Sequence, residues 1–233
     1  MKLSIVVPCY NEAKNIPLIL EKFASVINRD DVEVILVNNG STDDSQEVME
    51  NLTPKYSFSR IVKIDVNEGY GYGITSGLKA AKGEFIGYTH ADMQTDPADP
   101  LKALSIIEKQ ENPENCYIKG DRKGRAFFDQ FFTTGMSFFE TVYLGEKLWD
   151  INAQPNIFHK NFFNAIKDSC PKDFSLDLFF LYKAKKKKMN VIRFDVIFPP
   201  RIHGSSKWNT GFKSKIKFIK RTLNFSVKLK KEL

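Results

Sequence analysis

The absences in this sequence of 233 residues already narrow its class. No stretch approaches the roughly 20 continuous apolar residues that a membrane span requires. The opening run Met1-Lys2-Leu3-Ser4-Ile5-Val6-Val7-Pro8 is too short for a signal h-region, and no small-residue cleavage site follows it. Cysteine is scarce: Cys9, Cys116 and Cys170 are an odd number at spacings that suit neither a disulfide framework nor a metal site. The expected address is therefore cytoplasmic and reducing, with attachment to the inner face of a membrane left open. There is no internal repeat and no Gly/Ser linker, so the length suits one domain with at most an appendage. A hydrophobic content of 42% excludes wholesale disorder.

Charge is unevenly placed. Residues 213–233 hold eight basic side chains (Lys213, Lys215, Lys217, Lys220, Arg221, Lys228, Lys230 and Lys231) against one acid, Glu232, and so carry the whole net charge of +7. The preceding body is neutral. A nucleic-acid partner is therefore not expected, although a pI near 9.1 alone would suggest one.

Along the body, short β-branched runs alternate with amphipathic segments. Leu3–Val7, Val32–Val37, Arg60–Val66 and Glu84–Tyr88 read as strands. Ile16–Ile27, Asp44–Leu52 and Gly73–Ala81 read as the helices between them, the second entered through Ser41-Thr42-Asp43 as N-cap chemistry. That order predicts βαβ units and a mostly parallel sheet, with ligand at the carboxyl ends of the strands. Further on, Leu101–Gln110, Ala126–Leu148, Asn161–Asp168 and Leu176–Lys186 read as helical. Cys116–Lys119 and Val191–Ile197 read as strands, and Lys185–Lys188 as a solvated helix end.

Four segments follow the first four strands. They are Pro8-Cys9-Tyr10-Asn11-Glu12, Asn38-Asn39-Gly40-Ser41-Thr42-Asp43, Asn67-Glu68-Gly69-Tyr70-Gly71-Tyr72-Gly73 and His90-Ala91-Asp92-Met93-Gln94. The third is neither a P-loop nor a dinucleotide fingerprint, because no Gly-Lys-Ser/Thr follows and the glycine spacing is wrong. Its glycines suit close approach of backbone to a ligand or a neighbour. In the fourth, an extended backbone would turn His90, Asp92 and Gln94 to one side. A nitrogen, a carboxylate and an amide oxygen could there hold a divalent cation that bridges to phosphate; a polar turn before Pro97 is the competing reading.

Taken in order, and with Arg201-Ile202-His203-Gly204-Ser205-Ser206-Lys207-Trp208, these segments resemble the family 2 glycosyltransferases of GT-A fold. Within that family they look most like the dolichyl- and polyprenyl-phosphate sugar transferases. The resemblance implies an α/β fold with a mostly parallel central sheet flanked by helices. It implies a catalytic domain over residues 1–211, whose nucleotide-binding half is 1–98 and acceptor-binding half 99–211, followed by a basic helix over 212–233. Pro8, Tyr10, Glu12, Asn39, Asn67 and Asp92 would bind the nucleotide-sugar donor, joined by Arg201 and Lys207 from a late closing loop. The family's Asp-x-Asp motif matches His90-Ala91-Asp92, so one acid is missing. His90, Asp92 and Gln94 would hold Mn²⁺ or Mg²⁺, the imidazole favouring Mn²⁺. At the position matching Asn39 the family usually has an aspartate; an amide both donates and accepts, and leaves uracil, guanine and cytosine open.

On the acceptor side, Gln154 is expected near the reacting sugar or the acceptor, and Arg122, Arg125 and Ser205 near the acceptor. Asp177 matches the general base of hydroxyl-directed members; an anionic lipid phosphate would need no base, and Asp177 would then orient Lys207 or cap a helix. His159 and His203 read as satisfied or exposed side chains. The Phe127, Phe128, Phe131, Phe132, Phe138 and Phe139 cluster suits core packing better than a groove for a prenyl chain.

In the tail, Phe212, Ile216, Ile219, Leu223 and Val227 form one stripe and Phe218, Phe225 and Leu229 a second. One stripe can dock on the body while the other meets an anionic membrane; a solvated helix packed by one stripe is the alternative. The function implied is metal-dependent, inverting transfer of a sugar to a lipid-linked acceptor. Transfer to a glycan hydroxyl in surface polysaccharide assembly, or nucleotide binding without catalysis, are the alternatives.

Overall fold

A computed structural model describes residues 1–124, 127–199 and 212–231, with side chains described except at 127–129, 131–132 and 212–218. Seven strands form one sheet: β1 (Leu3–Cys9), β2 (Val32–Asn39), β3 (Ser59–Ile64), β4 (Phe85–Tyr88), β5 (Cys116–Lys123), β6 (Asn156–His159) and β7 (Asn190–Ile197). Their order is β3-β2-β1-β4-β6-β5-β7. The first four strands are mutually parallel; β6 runs antiparallel to both of its neighbours, and β7 is parallel to β5. All eight residues of β2 are buried, as expected of a parallel strand covered on both faces.

Helices α1 (Asn15–Val26), α2 (Ser45–Leu52), α3 (Tyr70–Ala80), α4 (Asp99–Ile107), α5 (Phe127–Leu144), α6 (Lys160–Asn164), α7 (Leu176–Lys186) and α8 (Phe212–Lys231) complete the chain. Alternation along the strands builds two apolar layers. Val6, Val37, Tyr88 and Phe158 face Ile74 and Leu78 of α3 and Phe180 of α7. Ile5, Val7 and Leu36 face Ile19 and Phe23 of α1 and Leu104 of α4.

Several boundaries differ from the sequence-based expectation. Strands β1 and β2 each run two residues further, because Cys9, Asn38 and Asn39 continue the ladder, so Pro8 and the asparagine pair sit inside strands. Helix α3 begins at Tyr70, which puts Gly71 and Gly73 in its first turn. Strand β6 was not expected. The helix expected over Asn161–Asp168 is instead the short α6 and a separate 3₁₀ turn at Lys167–Ser169. Phe138 is 70% exposed and Phe139 is 40% exposed, so core packing does not account for that pair.

Helix α8 docks through Phe225, Ser226 and Leu229. Ser226 Oγ donates to Glu140 on α5 at 2.6 Å, and the Phe225 ring lies 6.3 Å from that of Phe179 on α7. Val227 of the other stripe is exposed. Among the described residues, Phe225 and Leu229 of the second stripe thus pack on the body, while Ile219 and Leu223 of the first are half-buried. Among the described residues, no helix is long and apolar enough to cross a membrane.

Candidate active site

The loops after β1 and β2 form one wall. Asn11, at φ +58°, takes the left-handed conformation that asparagine tolerates better than most residues. Its backbone N–H donates to Ser41 Oγ at 3.0 Å, and its Oδ1 accepts from Thr42 N at 2.8 Å. Glu12 N donates to Ser45 Oγ at 2.9 Å, and Asp43 Oδ1 accepts from Ser45 N at 3.1 Å. Asp43 thus supplies the helix-entry chemistry expected of that loop. Tyr10 and Glu12 lie half-buried along this wall, beside half-buried Pro8.

The two asparagines of β2 do different things. Asn38 is spent on local structure, accepting from Ser41 N at 2.9 Å and donating to Gln46 at 2.6 Å. Asn39 donates its amide to Gly69 O at 3.1 Å, and its Oδ1 is buried with no partner among the described residues. The side chain thus keeps an acceptor in reserve, the polarity of an aspartate. A Cβ on Gly73 would come within 2.8 Å of Asn39 Cγ, one on Gly71 within 2.3 Å of Pro171 O, and one on Gly69 (φ +124°) within 2.4 Å of Lys172 O. The glycine spacing, unlike any phosphate-binding fingerprint, is explained by this close packing of α3 against Asn39 and the 171–173 loop. Asn67 Oδ1 accepts from Gly69 N at 2.9 Å and so shapes the same turn.

The segment after β4 is not extended. It bends from residue 91, with Met93 at φ +59°, so the alternation expected to bring His90, Asp92 and Gln94 to one side does not hold. Asp92 Oδ1 accepts from Gln94 N at 3.2 Å, and Gln94 Nε2 donates to Pro199 O at 3.1 Å. The His90 ring stands 6.3 Å from that of Phe198. Gln94 therefore ties the loop to the end of the segment following β7, and only its amide oxygen can serve a cation. Among the described residues, no cluster of three His, Cys, Asp or Glu side chains could hold a metal.

Behind this loop lies a buried polar chain. Asp177, in the first turn of α7 and 2% exposed, accepts from Tyr88 OH at 2.7 Å and Tyr70 OH at 3.3 Å. Tyr70 OH in turn accepts from Gln154 Nε2 at 2.5 Å. Burial, and then the Asp177 charge, push both tyrosine hydroxyls well above their ordinary range, so they remain donors. Burial also raises the Asp177 carboxyl, and the charge of nearby Lys119 opposes that rise. Tyr70 stacks on Phe174 at 4.4 Å, and the Arg221 guanidinium of α8 sits 5.1 Å above the Phe174 ring.

Gln154 and Asp177 are thus brought together, with Asp92 close enough for its charge to act on Tyr70. Arg122 is not an open phosphate ligand. It forms a buried ion pair with Asp150, the side chains being 8% and 7% exposed. His159 is a satisfied side chain, its Nδ1 accepting from Asn161 N at 3.2 Å. Arg125, Arg201, His203, Ser205 and Lys207 lie outside the described residues. Sequence reasoning missed Tyr70, Tyr88 and Lys119. Lys119 left one signal, a charge two residues from Tyr117 and so on the same core-facing side of β5.

The profile of glycosyl transferase family 2 matches residues 4–165. The undecaprenyl-phosphate 4-deoxy-4-formamido-L-arabinose transferase of Yersinia enterocolitica is 30% identical over 112 residues, 46% of this chain and 34% of that protein. The dodecaprenyl-phosphate galacturonate synthase of Rhizobium johnstonii is 26% identical over 170 residues, 72% of this chain and 50% of that protein. The chain thus spans a third to a half of the length of these relatives. Glucosyl-3-phosphoglycerate synthase of Mycobacterium tuberculosis, solved with Mn²⁺, UDP and glucosyl-3-phosphoglycerate, superposes with a TM-score of 0.71. That likeness covers 97% of this chain and 78% of the other at 14% identity, and it shows a shared GT-A fold. With the parallel β1–β4 sheet, the loops at its carboxyl edge and a profile match over most of the chain, the protein belongs to glycosyl transferase family 2.

Proposed function

We propose that this protein transfers a sugar, with inversion, from a nucleoside diphosphate donor to a polyprenyl-phosphate-type lipid acceptor. The observation that carries the choice of acceptor is the state of Asp177. Its carboxylate is 2% exposed and receives two tyrosine hydroxyls, so it is poorly placed to take a proton from a sugar hydroxyl. A phosphate oxygen arrives already anionic and needs no base. The names of the lipid-phosphate transferases among the relatives support the same reading.

In this reading Pro8, Tyr10 and Glu12 line the base and ribose, Asn39 Oδ1 supplies the acceptor for a base N–H, and Asn67 shapes the turn beside them. The acceptor phosphate oxygen attacks the anomeric carbon as the bond to the β-phosphate breaks, and the nucleoside diphosphate departs. A cation that keeps several waters and takes diphosphate oxygens needs only one or two protein carboxylates. Asp92 meets that need, with His90 and the Gln94 oxygen as further donors. When bound, Mn²⁺ or Mg²⁺ would neutralise charge developing on the leaving phosphate. Arg201 and Lys207 would add positive charge there, Gln154 would orient the reacting sugar, and Arg125 and Ser205 would meet the acceptor. Arg122 contributes by fixing Asp150. Residues 1–98 would then hold the donor, 99–211 the acceptor, and the helix beyond would meet the inner face of a membrane. Each basic residue of α8 near an anionic surface adds about 1 kcal/mol, and exposed Val227 on the same helix offers an apolar contact.

The test is transfer from uridine, guanosine and cytidine diphosphate sugars, with Mn²⁺ or Mg²⁺, to undecaprenyl phosphate and in parallel to a glycan. Sugar of inverted anomeric configuration on the lipid phosphate is expected, and Asp92→Asn should abolish it while the fold is kept. Transfer to the glycan alone, or full activity in Asp92→Asn, overturns the reading.

A further inference from the structure

Lys119 has no place in the chemistry above, yet it stands beneath the site with 0% exposure. A buried ammonium costs several kcal/mol of lost hydration unless its donors are all used well. Here Nζ donates to Ala153 O at 2.6 Å and to Asn156 Oδ1 at 2.8 Å. Asn156 Nδ2 donates back to Ala153 O at 3.1 Å, and Tyr117 OH adds a bond to Asn156 Oδ1 at 2.9 Å. The lysine thus closes a ring of hydrogen bonds around the ends of the 153–156 turn.

Backbone fixes the same turn from two sides. A Cβ on Gly120 would lie 2.3 Å from Gln154 O, and one on Gly87 would lie 2.1 Å from Asn156 O. Gly120 N donates to Pro155 O at 3.1 Å. The turn therefore sits pressed onto β4 and β5, where only glycine leaves room. At its head is Gln154, 1% exposed, with Nε2 on Tyr70 OH and Oε1 buried without a partner among the described residues. The charges around Lys119 are Asp177 of α7, Asp150 of the loop after α5, Arg193 of β7 and Arg122 of β5. Arg122 pairs with Asp150, and Arg193 donates to the carbonyls of Gly120 and Trp149. Lys119 is then the cation whose charge acts most on Asp177, ahead of His90.

We propose that Lys119 is a positioning residue of the transfer reaction: its sealed ammonium clamps the 153–156 turn and so holds the Gln154 amide against Tyr70 and Asp177. The role in catalysis rests on the transferase reading above; the positioning itself does not. An apolar side chain would fill the same space without the cost of a buried charge, but would leave Ala153 O and Asn156 Oδ1 short of a donor and the turn free to shift. Burial brings the ammonium down to about 7; the neutral amine keeps two N–H groups for Ala153 O and Asn156 Oδ1, so as pH rises through that value the clamp loses its charge assistance and loosens.

The experiment uses the full chain with Lys119→Met and reads the Gln154 side-chain amide by ¹H–¹⁵N NMR, the signal being identified by its loss in Gln154→Glu. In folded Lys119→Met that signal should move or broaden. The kcat for transfer should fall on the order of tenfold with donor KM nearly unchanged, since a small misplacement acts on the chemical step. Lys119→Arg should restore part of it and shift the alkaline limb of kcat upward. An unmoved Gln154 signal in folded Lys119→Met overturns the proposal, as does a moved signal with unchanged kcat. If wild type transfers no sugar to any acceptor, the function fails separately, and the Gln154 signal still decides the positioning. If Lys119→Met does not fold, Lys119→Arg is read instead: a Gln154 signal displaced from its wild-type position supports the clamp, and an undisplaced signal refutes it.

Discussion

Replacing Glu140 by glutamine should make the protein more stable, by an amount that grows from about pH 4.5 and levels off above about pH 7. Glu140 lies in the α5–α8 interface with 0% exposure. Its Oε2 accepts from Ser226 Oγ at 2.6 Å, while Oε1 is buried without a partner among the described residues. Burial raises this acid from an ordinary 4.5 to about 7, opposed only by the Ser226 bond. Between those two values the unfolded chain has released the proton and the folded chain keeps it. Stability then falls as pH rises, by about 1.4 kcal/mol per unit, or about 3 kcal/mol over the whole window. The stabilising protonation is complete below pH 4.5 and is lost once pH has passed about 7. Glutamine has the same shape, keeps an oxygen for Ser226 and cannot ionise. Its NH₂ faces the same gap as the O–H of the protonated acid, so the two proteins should melt together below about pH 4.5. At pH 8 the variant should be ahead by roughly 3 kcal/mol, which for a chain of this size is about 6–12 °C in Tm. Thermal melts of both proteins from pH 4 to 8.5 give the answer as a difference curve, in which every other titrating group cancels. A difference that does not grow with pH would show that Glu140 is not held protonated in the interface.

Asp177→Asn keeps one oxygen for the tyrosines but gives up the charge-assisted bond to the other. That loss is about 1.5–3 kcal/mol, partly offset by removing a buried charge. Transfer to a lipid phosphate should fall by an order of magnitude at most, whereas loss of a true base for a hydroxyl acceptor would cost roughly 10²–10⁴; paired kinetics with both acceptors distinguish the cases. Gly71→Ala gains up to about 1 kcal/mol of helix propensity, yet its Cβ would meet Pro171 O at 2.3 Å and Asp173 O at 2.7 Å. Backbone carbonyls yield little, so a net loss of about 1–2 kcal/mol is expected in urea melts, with weakened donor binding. A variant as stable and active as wild type would show that the 171–173 loop moves freely.

The parallel strands were legible because a strand buried on both faces is written mostly in Val, Ile and Leu, as in Val34–Val37. Their last residues were not, because Asn38 and Asn39 look like loop residues while their backbones continue the ladder. Strand β6 escaped for a different reason: four residues between Pro155 and the start of α6 are too few to show a period. At the site, Asp92, Gln154 and Asp177 could be singled out by chemical type and resemblance. Their partners could not, since Asp177 meets Tyr70 and Tyr88 across separations of 107 and 89 residues. The extended reading of His90–Gln94 failed because nothing in those residue types announces that Met93 turns left-handed.

The basic tail changes most once its contacts are known. As sequence it is an excess of charge at one end, suited to an anionic surface and separable from a neutral body. In the structure some of those charges meet the body: Lys230 donates to Tyr143 O at 2.8 Å, and Arg221 lies over Phe174 and approaches Asp173 to 3.6 Å, Phe174 stacking on the Tyr70 that holds both Asp177 and Gln154. Ser226 joins the same helix to α5 through Glu140. The helix that carries the charge excess therefore braces the polar chain beneath the site. Lifting α8 would remove Arg221 from Phe174 and one wall from Tyr70 as well as any grip on a surface. Its net charge is an attribute of the surface, but its placement is an attribute of the site.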